Sequence, residues 1–203
     1  MLPRTKPIAK GTPSEIDVRS KKDYEEFCFW VGHALSRWSL LESELAFLYA
    51  VTLSPPTLLP AVESFYAATS FDAKLKQLDA VIRIELYKES QHLKSWEALK
   101  RRLSNVQKRR NQLAHGRVLA TSQNRQGHPT EYYGTHLIPY YGRLRANQGG
   151  ATSPGIETIK KYAPIDLKQL IAIIESIDSR AAEISVFAHK AIFPRRFGKK
   201  AAT

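Results

Sequence analysis

The chain has 203 residues, with 31 Lys and Arg against 19 Asp and Glu, a net charge of +12 and a pI of about 9.8. That length suits one domain with short appendages, and a core of this size holds without disulfides or metal. Cys28 is the one cysteine, which excludes an intrachain disulfide and a cysteine-rich zinc site; the positive excess favours polyanions, whether RNA, DNA or an anionic membrane surface, without choosing among them.

Residues 1 to about 20 are rich in Pro, Lys, Ser and Thr, show no periodicity, and read as a mobile arm. They hold no apolar segment of the secretory kind. The most apolar stretch, LLESELAFLYAVTL, is interrupted by Glu42 and Glu44, so no membrane span is expected and a cytoplasmic location is. A first helix is expected over about Asp23–Leu53, because Phe27, Trp30, Ala34, Trp38, Leu41, Leu45 and Leu48 recur at spacings of three and four. Cys28, within FCFWV, reads as a buried core thiol, since no activating motif surrounds it. Ser54-Pro55-Pro56 ends the helix.

A short helix is expected near Leu58–Ala68 and a third over about Phe71–Tyr87, with Phe71, Leu75, Leu78, Ile82 and Leu86 on one face. A fourth covers about Gln91–His115, on the stripe Trp96, Leu99, Leu103, Val106 and Leu113. Gly116 follows where a left-handed cap is expected. Residues 117–163 break the pattern as a long insert in which VLATS and YYGTHLIPYY can pair as a β-hairpin around Asn124–Gly127. The last helix is expected over about Leu167–Ile192, with Asp166 and Gln169 forming a capping box. PRRFGKKAAT, residues 194–203, reads as a mobile basic tail. The whole is an all-α chain, an antiparallel helical bundle of about five helices in a single domain over 21–193.

KRRNQLAHG, residues 108–116, ends the fourth helix. Arg110 falls on the stripe of Leu103, Val106 and Leu113, where an apolar side chain is expected, and a permanent charge there needs a partner or a wet cleft. Asn111 and His115 are four apart and share a face. Arg110 and His115 are five apart and point roughly 140° away from each other on a continuous helix. Either the helix ends at His115, or two copies of the segment meet across a two-fold axis. A structural reading stands beside the chemical one: Arg110 and His115 can simply complement the negative end of the helix.

Arg110-Asn111-Gln112-Leu113-Ala114-His115 resembles the R-x(4–6)-H signature of the HEPN superfamily, including the polar residue directly after the arginine. The resemblance extends over the helical body, roughly residues 23–116 and 164–192. It implies a helical bundle, commonly dimeric, that acts as a metal-independent ribonuclease in toxin–antitoxin, antiviral-defence or RNA-processing systems, or else serves as a non-catalytic scaffold for RNA or protein. A homodimer with a composite active site and an antitoxin or regulatory partner are implied with it; no cofactor is. Arg109 also satisfies the spacing and competes with Arg110. The insert at 117–163 has no counterpart in a minimal domain of this kind.

In such a site the RNA 2′-hydroxyl attacks the adjacent phosphorus, with a base to take its proton and an acid to protonate the leaving 5′-oxygen. His115 and its symmetry mate can fill those roles. Arg110 would hold the phosphate, and Asn111 would orient His115 or the ribose. Arg101, Arg102, Lys108, Arg109 and Arg117, with Lys100, can track an RNA backbone or form a solvated face. Tyr132, Tyr133, Tyr140 and Tyr141, interleaved with Arg143 and Arg145, can stack on unpaired bases or pack a hairpin onto the bundle. His33, His92, His128, His136 and His189 lack metal-ligand spacing.

Overall fold

The computed structural model describes residues 7–123, 130–138 and 163–197. Their order is β1 (Ala9–Gly11), α1 (Pro13–Leu53), α2 (Leu59–Ala67), α3 (Phe71–Glu85), α4 (Ser90–His115), β2 (Arg117–Gln123), β3 (Thr130–Ile138), α5 (Leu167–Phe187), a π-helical turn (Ala188–Ile192) and α6 (Phe193–Phe197). The fold is mostly helical with a small three-stranded sheet. The chain divides into two compact units: Met1–Leu35 with Arg110–Ile173, and Ser36–Arg109 with Ile174–Thr203. The divisions fall inside α1, α4 and α5 and not in linkers. Among the described residues, no helix is long and apolar enough to cross a membrane.

In the first unit, the segment expected as a mobile arm supplies a strand and two turns of helix. Thr12-Pro13-Ser14-Glu15 is a capping box. The Thr12 N–H donates to Glu15 Oε2 at 2.8 Å, and the Glu15 N–H donates back to Thr12 Oγ1 at 3.4 Å. Two helix-end groups are thereby satisfied, and Pro13 brings a φ already suited to the first turn. The Thr12 N–H and the Thr12 hydroxyl both donate to Glu15 Oε2 and hold its carboxyl below the ordinary carboxylate range. β1 adds to the sheet through Ala9–Tyr132 and Gly11–Thr130 pairings, and Lys10 meets Glu131 at 2.8 Å.

The expected hairpin forms from β2 and β3, antiparallel, with β3 central in the order β1-β3-β2. Its register shifts between Thr121 and Ser122. The bulge passes through Gly134 at φ +99°, a conformation that favours glycine. The Asn124–Gly127 turn lies outside the described residues, as do Tyr140, Tyr141, Arg143, Arg145 and His128. Leu137 pairs with Ile165, and α5 begins on the expected capping box. Asp166 Oδ1 accepts from the Gln169 N–H at 2.7 Å, and Gln169 Oε1 accepts from the Asp166 N–H at 2.9 Å.

The second unit is built from the apolar stripes: Trp38, Leu41, Leu45 and Leu48 of α1, Leu75, Leu78 and Ile82 of α3, Trp96, Leu99 and Leu103 of α4, and Ile174, Ile177 and Ile184 of α5 are all buried. Side-chain pairings give the helix directions. Trp38 packs on Phe71 and Glu42 pairs with Lys74, so α1 and α3 run the same way. Asp79 pairs with Lys100 and Arg83 with Glu97, so α4 runs opposite to α3. Trp96 packs on Phe187 and Arg102 pairs with Glu183, so α5 again opposes α4. Within this unit the expected antiparallel arrangement therefore holds for α3–α4 and α4–α5, whereas α1 and α3 are parallel because short α2 carries the chain back between them.

The left-handed cap expected at Gly116 after α4 does not form; Ser54, after α1, takes that conformation at φ 51°, and its N–H reaches the Ala50 carbonyl at 3.0 Å just before Pro55. The expected basic tail is docked through residue 197. Arg195 bridges Glu85 at 3.2 Å and Glu89 at 3.0 Å, and Arg196 bonds Glu85 and the Thr52 carbonyl. Residues 198–203 lie outside the described residues.

Candidate active site

Within the second unit, a polar cluster joins α4 to α3. The indole N–H of buried Trp96 donates to Asp79 Oδ1 at 2.8 Å. Lys100 reaches the same oxygen at 3.0 Å, and Arg83 reaches the other at 3.1 Å. Burial works against the Asp79 carboxylate, but these donors outweigh it and hold its pKa below the ordinary value.

The last six residues of α4 belong to the first unit. Leu113 is buried. Arg110, in line with it on the apolar stripe, is half-buried, its Nε shut off from solvent. The residue already engages other groups, as do Gln112 and Arg117. Asn111 is half-buried, and His115, the last helical residue, is exposed. Since α4 is continuous through His115, Arg110 and His115 stand roughly 140° apart around it and about 7.5 Å apart along it. Asn111 and His115 keep a common side. One chain thus brings Asn111 to His115 and leaves Arg110 on a different side of the helix.

What stops α4 after His115 is packing and not a left-handed glycine. Gly116 has no positive φ. A Cβ there would meet Leu137 Cδ2 at 2.5 Å and the Gln112 carbonyl oxygen at 2.8 Å. Only a residue without a side chain lets the chain turn from α4 directly into β2 beneath Leu137.

Arg117 opens β2 and is exposed. It acts electrostatically on Tyr24 of α1, whose phenol bonds Cys28. That hydrogen bond raises the Tyr24 pKa, with Arg117 opposing. Cys28 is half-buried rather than sealed in the core as expected.

The remaining candidates divide sharply. Tyr132 is fully buried, and its hydroxyl shares a hydrogen bond with Thr135 at 3.0 Å. Burial pushes its pKa up to about 12. No base can stack on that ring while β3 is paired on both sides, so Tyr132 is a sheet-packing residue and not a stacking platform. Tyr133 is half-buried and donates to Glu131 at 2.6 Å. Arg102 is exposed but paired with Glu183 at 2.9 Å. Arg109 is exposed and engaged. Arg101 and Lys108 are exposed, and neither makes an ion pair among the described residues. Arg143 lies outside the described residues.

Of the other histidines, His136 is half-buried on β3. Burial pushes its imidazole pKa down, against Asp166 and a backbone hydrogen bond at Gly134. Among the described residues, no three of His, Cys, Asp and Glu gather closely enough to hold a metal ion. Two features escaped the sequence reading: the Asp79 anchor, and the electrostatic influence of Arg117 on Tyr24. Neither has a local signal, because each joins residues far apart in the chain. No protein-family model, no curated protein and no solved structure matches this chain.

Proposed function

We propose that the chain is a metal-independent endoribonuclease of the HEPN type, cutting RNA by attack of its own 2′-hydroxyl. The observation that carries this reading is the exposed His115 closing α4, with Asn111 one turn before it and Arg110 on the inward side of the same turn. An exposed imidazole closing a helix is within reach of a substrate and can take or give a proton. Arg110 supplies a permanent charge for the scissile phosphate, and Asn111 orients the imidazole or the ribose.

Because Arg110 and His115 stand on different sides of one helix, a cleavage site needs the arginine of one copy beside the histidine of another. The chain therefore acts as a homodimer whose two-fold axis supplies two histidines, one as base and one as acid. Its placement is cytoplasmic, in a toxin–antitoxin or antiviral-defence setting, where an antitoxin or regulatory protein restrains it. The same separation of Arg110 from His115 favours a second reading, a non-catalytic scaffold that binds RNA or protein.

Incubation with mixed RNA in EDTA separates the two. Wild-type protein should produce fragments ending in 2′,3′-cyclic phosphate and leave DNA intact. His115→Ala should lower the rate by roughly 100- to 10,000-fold, the usual worth of a general acid or base. Equal cleavage by both proteins sinks the assignment of His115; no cleavage by either sinks the ribonuclease and leaves the scaffold.

A further inference from the structure

Seven Lys and Arg residues lie along α4, and their surroundings sort them into two groups. Lys100 is held by Asp79 and Glu97, and Arg102 by Glu183. Arg109 and Arg110 engage other groups. Lys94, Arg101 and Lys108 are exposed, and among the described residues none of the three has an ion pair or hydrogen bond. They are spaced seven apart. On an α-helix that spacing drifts only about 20° per step, so the three cations form a nearly straight line about 21 Å long, with roughly 10.5 Å between neighbours. All three belong to the second unit.

Among the described residues, no acid pairs with the line. Glu97, the acid of α4, is already neutralised by Arg83 and Lys100. Asn105, between Arg101 and Lys108 on the same face, is exposed and uncharged. At about 10.5 Å the three exposed charges are largely screened from one another at physiological salt, so the row stands at little cost to folding, and no counter-charge among the described residues claims it. No large apolar side chain of α4 is exposed among the described residues. The line therefore lacks the apolar flank with which an amphipathic helix enters a bilayer, and it lacks an aromatic ring on which a base can stack. What remains is a row of point charges with the complement of a phosphodiester backbone and no means of reading sequence.

We infer that Lys94, Arg101 and Lys108 form a sequence-blind track for the sugar–phosphate backbone of an RNA strand. Identifying the strand as RNA rests on the cleavage reading above; the track itself rests on exposure, alignment and lack of partners. Lys94 joins the RNA-binding set, whereas Lys100 and Arg102 leave it because acids of α3, α4 and α5 already hold them.

The test is a salt titration of binding to a 20-nucleotide single-stranded RNA, made in the His115→Ala protein so that cleavage cannot interfere. Each lost phosphate contact flattens the slope of log K against log salt by about 0.7, so the triple variant Lys94→Gln, Arg101→Gln, Lys108→Gln should flatten it by about 2. A control triple, Lys21→Gln, Lys76→Gln, Lys168→Gln, removes the same charge from exposed positions elsewhere and should leave the slope within about half a unit. Each single substitution in the track should flatten it by about 0.7, which keeps the test sound if the triple folds poorly. Equal effects of the two triples, or no effect of the track triple, overturn the track. A flattened slope, where the wild-type chain cuts no RNA, preserves the track and removes the ribonuclease; wild-type cleavage with an unchanged slope does the reverse.

Discussion

α4 contains two polar clusters that differ in kind. Near its start, Trp96, Lys100 and Glu97 meet Asp79 and Arg83 of α3, and each charged group there has an opposite charge within reach. At its end, Arg110, Asn111 and His115 combine a half-buried cation with an exposed imidazole on another side of the helix. The first cluster is accounted for by stability, since it satisfies a buried indole N–H and fixes the crossing of two helices. The second is not. A polar group that folding does not require is the better candidate for chemistry, and the contrast can be tested from both sides.

The largest expected effect is on activity. His115→Ala should remove cleavage while shifting stability by no more than about 0.5 kcal/mol, as is usual for an exposed side chain. A large loss of stability in that variant would move His115 into the structural class and erase the contrast. Asp79→Ala should do the opposite. It strands the Trp96 N–H and should cost about 3 kcal/mol in urea melts, the upper end for an unpaired buried donor, with per-molecule cleavage of the folded protein intact. Unchanged stability would mean that the anchor is dispensable.

Gly116→Ala probes the join between the last turn of α4 and β2. Its new methyl meets both Leu137 and a backbone carbonyl, so a loss of about 2 kcal/mol is expected, together with slower cleavage from a displaced His115. A neutral outcome would show that the turn has room. Thr12→Ala is the smallest. Removing the hydroxyl of the capping box should cost about 1 kcal/mol and leave cleavage unaffected; hydrogen exchange confined to the first turn of α1 would locate the loss.

The helical body was legible because periodicity is local. The stripes through Leu41, Leu78 and Leu103 placed α3, α4 and the end of α1 within a few residues, while α1 begins at Pro13 and not near Asp23, and Asp166 with Gln169 marked the start of α5. The start of α1 was equally legible in Thr12-Pro13-Ser14-Glu15, but the Pro, Lys, Ser and Thr content of the surrounding residues masked it. Composition averages over twenty residues, whereas a capping box is decided by four. At the candidate site, sequence marked Arg110 as out of place on an apolar stripe, and Asn111 and His115 as sharing another face of the helix. It could not tell that Tyr132 is sealed or that Arg102 is neutralised, because those facts depend on the packing of the folded sheet and on Glu183, which only folding brings near.

The sequence by itself determined where the helices lie, that the chain is basic, and that the angle between Arg110 and His115 separates them on a continuous α4. Each follows from the fixed rise and turn of a helix. Tertiary structure alone decided that α1 and α3 run parallel, that β1 completes the sheet, that Gly116 is required by the Leu137 side chain, and which cations of α4 remain without a counter-charge. Those outcomes depend on contacts between distant residues, and such contacts leave no periodic trace in the chain.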